Sequence, residues 1–91
     1  MKDKKLKLTV KNRYGLHARP AAMFVKTAIS FSSDIKIEKD SSLFDGKSLI
    51  SILAHSIEFD SKIILHISGI DAKEAEQTII SLFNSKDFNE S

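Results

Sequence analysis

His17 and Arg19 are the residues whose types and spacing allow chemistry most legibly. They lie in the run Gly15-Leu16-His17-Ala18-Arg19-Pro20, between an alternating apolar segment and a helical pattern. His17 is thus expected at a strand-to-helix junction. The first N–H groups of a helix have no intrahelical acceptor, and the helix dipole adds partial positive charge there. Such a junction favours an anion. A neutral imidazole nitrogen is a good nucleophile near pH 7, since an unperturbed histidine titrates near about 6.5. It can take up a phosphoryl group and give it up again. Transfer of that kind depends chiefly on positioning and charge stabilisation. The N–H groups of Ala18 and Arg19 can face the phosphoryl oxygens, and the Arg19 guanidinium can add a charge-assisted contact. Gly15 allows a tight turn before the helix, and Pro20 fixes its first turn. A lone histidine more often merely lines a helix start, and the surrounding hexapeptide is what changes those odds.

The elements that must position this run follow from apolar spacing. Leu6, Leu8 and Val10 alternate with Lys5, Lys7 and Thr9, which predicts a strand over residues 4–11. The lysines from Lys2 to Lys11 read as a solvated strand face. Pro20, in the first turn, opens a helix whose buried stripe is Ala21, Phe24, Val25 and Ala28, ending near Ser30. Ile35 and Ile37 mark a second strand. Asp40-Ser41 is a weak hairpin turn, because glycine is favoured there. Leu43 and Phe44 lie on a short third strand. Ser48 is a good N-cap for a second helix running to Ile57. Its apolar residues Leu49, Ile50, Ile52, Leu53 and Ile57 cover about half the helix circumference. Either that helix is deeply buried or part of it is an exposed docking surface. Ile63, Leu65 and Ile67 alternate in a fourth strand over residues 62–68. Asp71 and Glu74 form a variant capping box for a third helix, striped by Ala72, Ala75, Ile79, Leu82 and Phe83. Residues 85–91 read as a frayed polar tail. The order β-α-β-β-α-β-α predicts an α+β open-faced sandwich. Its four-stranded, mostly antiparallel sheet carries three helices on one face.

Composition bounds the rest. The 91 residues fit one small domain, and 42% apolar content is ordinary for a globular protein. With no cysteine, disulfides and cysteine-ligated metal are excluded, and the cytoplasm is the expected compartment. Met1-Lys2-Asp3-Lys4-Lys5 lacks the apolar run of a signal peptide, and no segment approaches the roughly 20 apolar residues of a membrane span. A net charge of +2 with a single tyrosine argues against nucleic acid. His55, on the polar side of the second helix, and His66, on the wet face of the fourth strand, have neither metal-ligand spacing with His17 nor an acidic partner in the sequence. No metal and no cofactor are expected. Lys26 reads as solvated, though it follows the acceptor run by two helical turns and could approach an acidic rim on a partner.

The run Gly15-Leu16-His17-Ala18-Arg19-Pro20-Ala21-Ala22 resembles the active-site signature of HPr, the histidine phosphocarrier family of the bacterial phosphoenolpyruvate:sugar phosphotransferase system. Ile35-Lys36-Ile37-Glu38-Lys39-Asp40 resembles that family's second strand. Gly46-Lys47-Ser48-Leu49-Ile50 resembles the segment holding its regulatory serine. The resemblance implies that enzyme I phosphorylates His17 on Nδ1, that Arg19 steadies the group, and that a sugar-specific enzyme IIA receives it. It implies that Leu49, Ile50 and Leu53 form an exposed apolar patch for both partners, which tips the reading of the second helix toward exposure. It also makes Ser48 a candidate for an ATP-dependent serine kinase, with a plain N-cap as the alternative. Ser41, Ser51, Ser56 and Phe59-Asp60 depart from the common pattern around the second helix and its following loop. A monomeric carrier, the substrate of enzymes rather than a stand-alone catalyst, is expected. The rival readings are a regulatory HPr-like protein acting through binding partners and a small nucleic-acid-binding domain.

Overall fold

The computed structural model describes residues 2–91; Met1, part of the charged N-terminal stretch, lies outside them. The elements run β1 (Lys2–Thr9), α1 (Ala18–Ile29), β2 (Asp34–Lys39), β3 (Ser42–Asp45), α2 (Leu49–Ala54), β4 (Lys62–Gly69), α3 (Ala72–Phe83) and α4 (Lys86–Asn89). The four strands form one sheet in the order β1-β4-β2-β3, and every neighbouring pair is antiparallel. The expected open-faced α+β sandwich is therefore the fold.

Period-two alternation decides the two faces. Ile35, Ile37, Ile63, Leu65 and Ile67 are buried on the helix side. There they meet Ala21, Phe24 and Ala28 of α1, and Ala72, Ala75, Ile79 and Phe83 of α3. On the open side Lys5, His66, Lys36 and Asp45 stand in one row across the sheet. Lys4 departs from the solvated face expected of the lysines: it pairs with Ile67 and so points to the helix side.

Several expectations need correction. The strand β1 begins and ends two residues earlier than its hydrophobic pattern suggests. Asp40 and Ser41 do form the β2–β3 turn, with φ of +49° and +69° at both central positions. That is the conformation which makes glycine preferable there, and Asp tolerates it better than most residues. The helix α2 stops at Ala54, three residues short of Ile57, because His55 is its C-cap and Ser56 follows with a positive φ of +46°. Asp71 caps nothing at the start of α3. Its carboxylate instead accepts from the backbone N–H groups of Ser32 and Ser33, both at 2.9 Å, and from both serine hydroxyls. It thereby ties the α1–β2 loop to the β4–α3 loop. These bonds, that of the Ser33 hydroxyl first and that of the Ser32 N–H next, hold the Asp71 carboxyl down at about 2.

The tail is not frayed. Residues 86–89 form α4, Ser85 caps it by accepting from Phe88 N–H at 3.2 Å, and Phe88 is fully buried. A fourth helix thus joins the three expected ones.

Candidate functional site

The loop from β1 to α1 is built around two residues. Gly15 has a φ of +73°, and a Cβ there would overlap the carbonyl oxygen of Ile57. Only glycine meets both demands at this turn. Leu16, buried, donates its N–H to that same Ile57 oxygen at 2.9 Å. Between them they lock the loop to the segment that follows α2 and deliver His17 to the start of α1.

His17 occupies the N-cap position in extended conformation (φ −82°, ψ −167°) and its side chain caps no N–H. Ala21 N–H is the first to close a helical bond, onto His17 O at 2.9 Å. Pro20 has no N–H to offer. The N–H groups of Ala18 and Arg19 are therefore the donors left at this helix start. His17, Ala18 and Arg19 are all exposed, and no acidic residue lies in the first turn to compete for an anion. The expected acceptor, its two N–H groups and the arginine thus sit together. The Arg19 guanidinium is 3.4 Å from Asp87 Oδ1 on α4. His17 Nε2 lies 3.2 Å from the backbone oxygen of Ser91. Tyr14 stands edge-on to the imidazole at 6.0 Å between centroids, with the Arg13 guanidinium 5.5 Å from the centre of the tyrosine ring.

Beside His17 is a shallow depression whose walls include Tyr14, Leu16, Leu53, Ile57 and Glu58. Through Leu53 it continues onto α2. There Ile52 is buried, whereas Leu49, Ile50 and Leu53 are 37%, 82% and 41% exposed. Of the four, one side chain enters the core and three are exposed, and of those three Leu53 borders the depression beside His17. Ser48 is the N-cap of α2 and its Oγ accepts from Ser51 N–H at 3.2 Å.

The other histidines differ from expectation. His66 has an acidic partner after all, Glu38 Oε1 at 2.8 Å on the neighbouring strand. Sequence could not pair them, because β2 and β4 become neighbours only through the strand order. His55 is not simply on a polar face. Its ring stacks on Phe44 at 3.7 Å, and its Nδ1 is 2.7 Å from Ser51 O. Among the described residues no group of three or more His, Cys, Asp or Glu side chains could hold a metal ion. Lys26 is exposed. No helix among the described residues is long and apolar enough to cross a membrane. The contacts of Asp87 on α4 with Arg19, and of Ser91 just after it with His17, are the part of the site that sequence reasoning missed, since Phe88 is one apolar residue in a polar run.

A model of the "PTS HPr component phosphorylation site" matches residues 4–85. The HPr-like protein Crh of Halalkalibacterium halodurans is 39% identical over 77 residues, covering 85% of this chain and 92% of that protein. The phosphocarrier protein HPr of Treponema pallidum is 36% identical over 77 residues, covering 85% and 88%. The crystal structure of HPr-C-His from Thermoanaerobacter tengcongensis superposes with a TM-score of 0.90 at 40% identity, over 97% of this chain and 98% of that one. On the strength of the matched region and these likenesses, the chain belongs to the HPr family of the phosphotransferase system.

Proposed function

We propose that this protein carries a phosphoryl group on His17 between phosphorylated enzyme I and a sugar-specific enzyme IIA, in the cytoplasm and as a monomer. The observation that supports this most is the exposed, uncapped helix start at His17, with Arg19 beside it. In the transfer the Nδ1 lone pair forms a P–N bond, the bond from phosphorus to the donor breaks, and its electron pair leaves with the donor. The N–H groups of Ala18 and Arg19 and the Arg19 guanidinium then face the phosphoryl oxygens. Leu49, Ile50 and Leu53 offer successive partners one shared apolar patch. A carrier needs a modest interface of this kind, because it must release each partner quickly.

The test is a chase. Protein phosphorylated by enzyme I and phosphoenolpyruvate is mixed with an enzyme IIA, and the label should move to the acceptor. A label that stays on this protein with every enzyme IIA of its source would contradict the carrier role.

The 39% identity to an HPr-like protein Crh favours a second reading, in which binding to regulatory partners is the output. His17 speaks against it, since a pure binding module has no need of that residue. Both readings give Ser48 a role. A phosphate from a serine kinase, removed by a phosphorylase, would sit at the α2 start beside the apolar patch and repel a partner tuned to it. Ser48→Asp should slow phosphorylation by enzyme I with the fold intact. An unchanged rate would remove Ser48 from the regulatory account.

A further inference from the structure

The ring of His17 is exposed, and a single contact at one nitrogen does not fix its plane. Nε2 lies 3.2 Å from Ser91 O, which restrains one atom and lets the ring turn about it. The side chain caps no N–H of α1, so the helix start does not hold the ring either. His55 shows what a second contact adds. It is held at Nδ1, 2.7 Å from Ser51 O, and also by its plane, stacked on Phe44 at 3.7 Å. For His17 the second contact is Tyr14, a residue that the carrier reading does not use.

Tyr14 is 71% exposed, yet its backbone is fixed. Gly15 N–H donates to Asn12 O at 2.9 Å, which closes a turn with Arg13 and Tyr14 at its centre. The bond from Leu16 N–H to Ile57 O anchors the chain immediately beyond that turn. From there the Tyr14 side chain joins the walls of two depressions. One contains His17 and Leu53, and the other is lined by Arg13, Glu58 and Phe59. The Arg13 guanidinium packs on the tyrosine ring, 5.5 Å from its centre. The His17 ring stands 6.0 Å from it between centroids, at 78° between planes. That distance and angle are those of an edge-to-face aromatic pair. A contact between rings needs no hydrogen bond, so it restrains the imidazole without spending the Nδ1 lone pair. A tyrosine also has only two side-chain torsions to order, which makes it a cheap rigid support.

We propose that Tyr14 is a positioning residue of the acceptor: its ring sets the plane of the His17 imidazole so that Nδ1 meets the donor phosphorus. The inference rests on the carrier reading of His17 and adds the side chain that orients it. A nucleophile already in line reacts faster than one that must find its orientation inside the complex. The phenol hydroxyl has no part in this, because the contact is between rings.

The test uses full-length protein in single-turnover transfer from phosphorylated enzyme I. With this protein in excess and varied, the data give a maximal rate and a half-saturating concentration. Tyr14→Ala should lower the maximal rate about fivefold, the scale of one aromatic pair. It should change the half-saturating concentration by less than about twofold, because orientation and not docking is lost. Tyr14→Phe should restore the wild-type rate. Neither variant removes core packing, since Tyr14 is exposed. In NMR the ring protons of residue 14 and of His17 should show cross-relaxation in the wild type and in Tyr14→Phe. A wild type without that cross-relaxation would overturn the proposal, as would a maximal rate unmoved by Tyr14→Ala. A raised half-saturating concentration at constant maximal rate would also overturn it, by making Tyr14 a contact of the partner instead. So would a Tyr14→Phe as slow as Tyr14→Ala, which would put the role in the hydroxyl. Cross-relaxation in a wild type that takes up no phosphoryl group would support the ring contact and contradict the carrier reading.

Discussion

The starts of α1 and α2 are built alike and finished differently. Each has an extended residue at the N-cap, His17 in one and Ser48 in the other. Ser48 turns its hydroxyl inward and satisfies Ser51 N–H. His17 satisfies none and leaves its helix start open to solvent. The difference follows from what else holds each helix. The helix α2 has six residues and a single buried side chain, Ile52, so a cap matters to it. The helix α1 has twelve residues and buries Pro20, Ala21, Phe24 and Ala28. That packing lets it leave its first N–H groups unsatisfied. An uncapped start on a well-packed helix is where a site for an anion can be afforded.

The strongest way to break this contrast is at the turn that delivers His17. Gly15→Ala places a Cβ against the Ile57 carbonyl at a positive φ. It should lower unfolding free energy by about 2 kcal/mol or more, read by urea denaturation. A loss below about 0.5 kcal/mol would mean that the loop is free to relax. Next comes the capped start: Ser48→Ala should cost about 1 kcal/mol in the same assay. No loss would show that the Ser48 cap is dispensable. The open start predicts the opposite sign. His17→Ser supplies an oxygen for Arg19 N–H, the reachable donor since Pro20 has none, and should gain about 0.5 kcal/mol while abolishing phosphoryl acceptance. A loss of stability instead would mean that His17 already supports the fold.

The smallest effect separates both helix starts from the loop clamp at Asp71. Its carboxyl sits at about 2, below the ordinary 3.8. The folded state therefore binds this proton less readily than the unfolded chain does. The resulting stability is fully present above about pH 4 and is lost as pH falls through about 2. Asp71→Asn should flatten the acid limb of a stability–pH curve in that window and leave the neutral limb parallel to the wild type. An unchanged acid limb would remove Asp71 as its source.

What could be read in the chain was what repeats. Ile35 and Ile37, and Ile63, Leu65 and Ile67, carry a period of two. Ala21, Phe24 and Ala28 carry a helical one, and strands and helices followed. The run from Gly15 to Pro20 was legible because its parts are contiguous. What escaped was either single or distant. Phe88 has no second apolar residue within its short helix to make a period, and its place comes from the ring of Phe83 and a hydrogen bond from Asn12. Asp71 and Glu74 satisfied a local capping pattern, yet two serines 38 and 39 positions away made the better offer to Asp71. Glu38 and His66 needed the strand order before they could meet.

The central claim is that the open helix start at His17 receives a phosphoryl group. Wild type and His17→Ala, incubated with phosphoenolpyruvate and purified enzyme I from the same source, can be compared by intact mass before and after acid. One added phosphoryl group on the wild type, lost in acid and absent from His17→Ala, is the predicted result. An unlabelled wild type, or a label that His17→Ala retains, would contradict it.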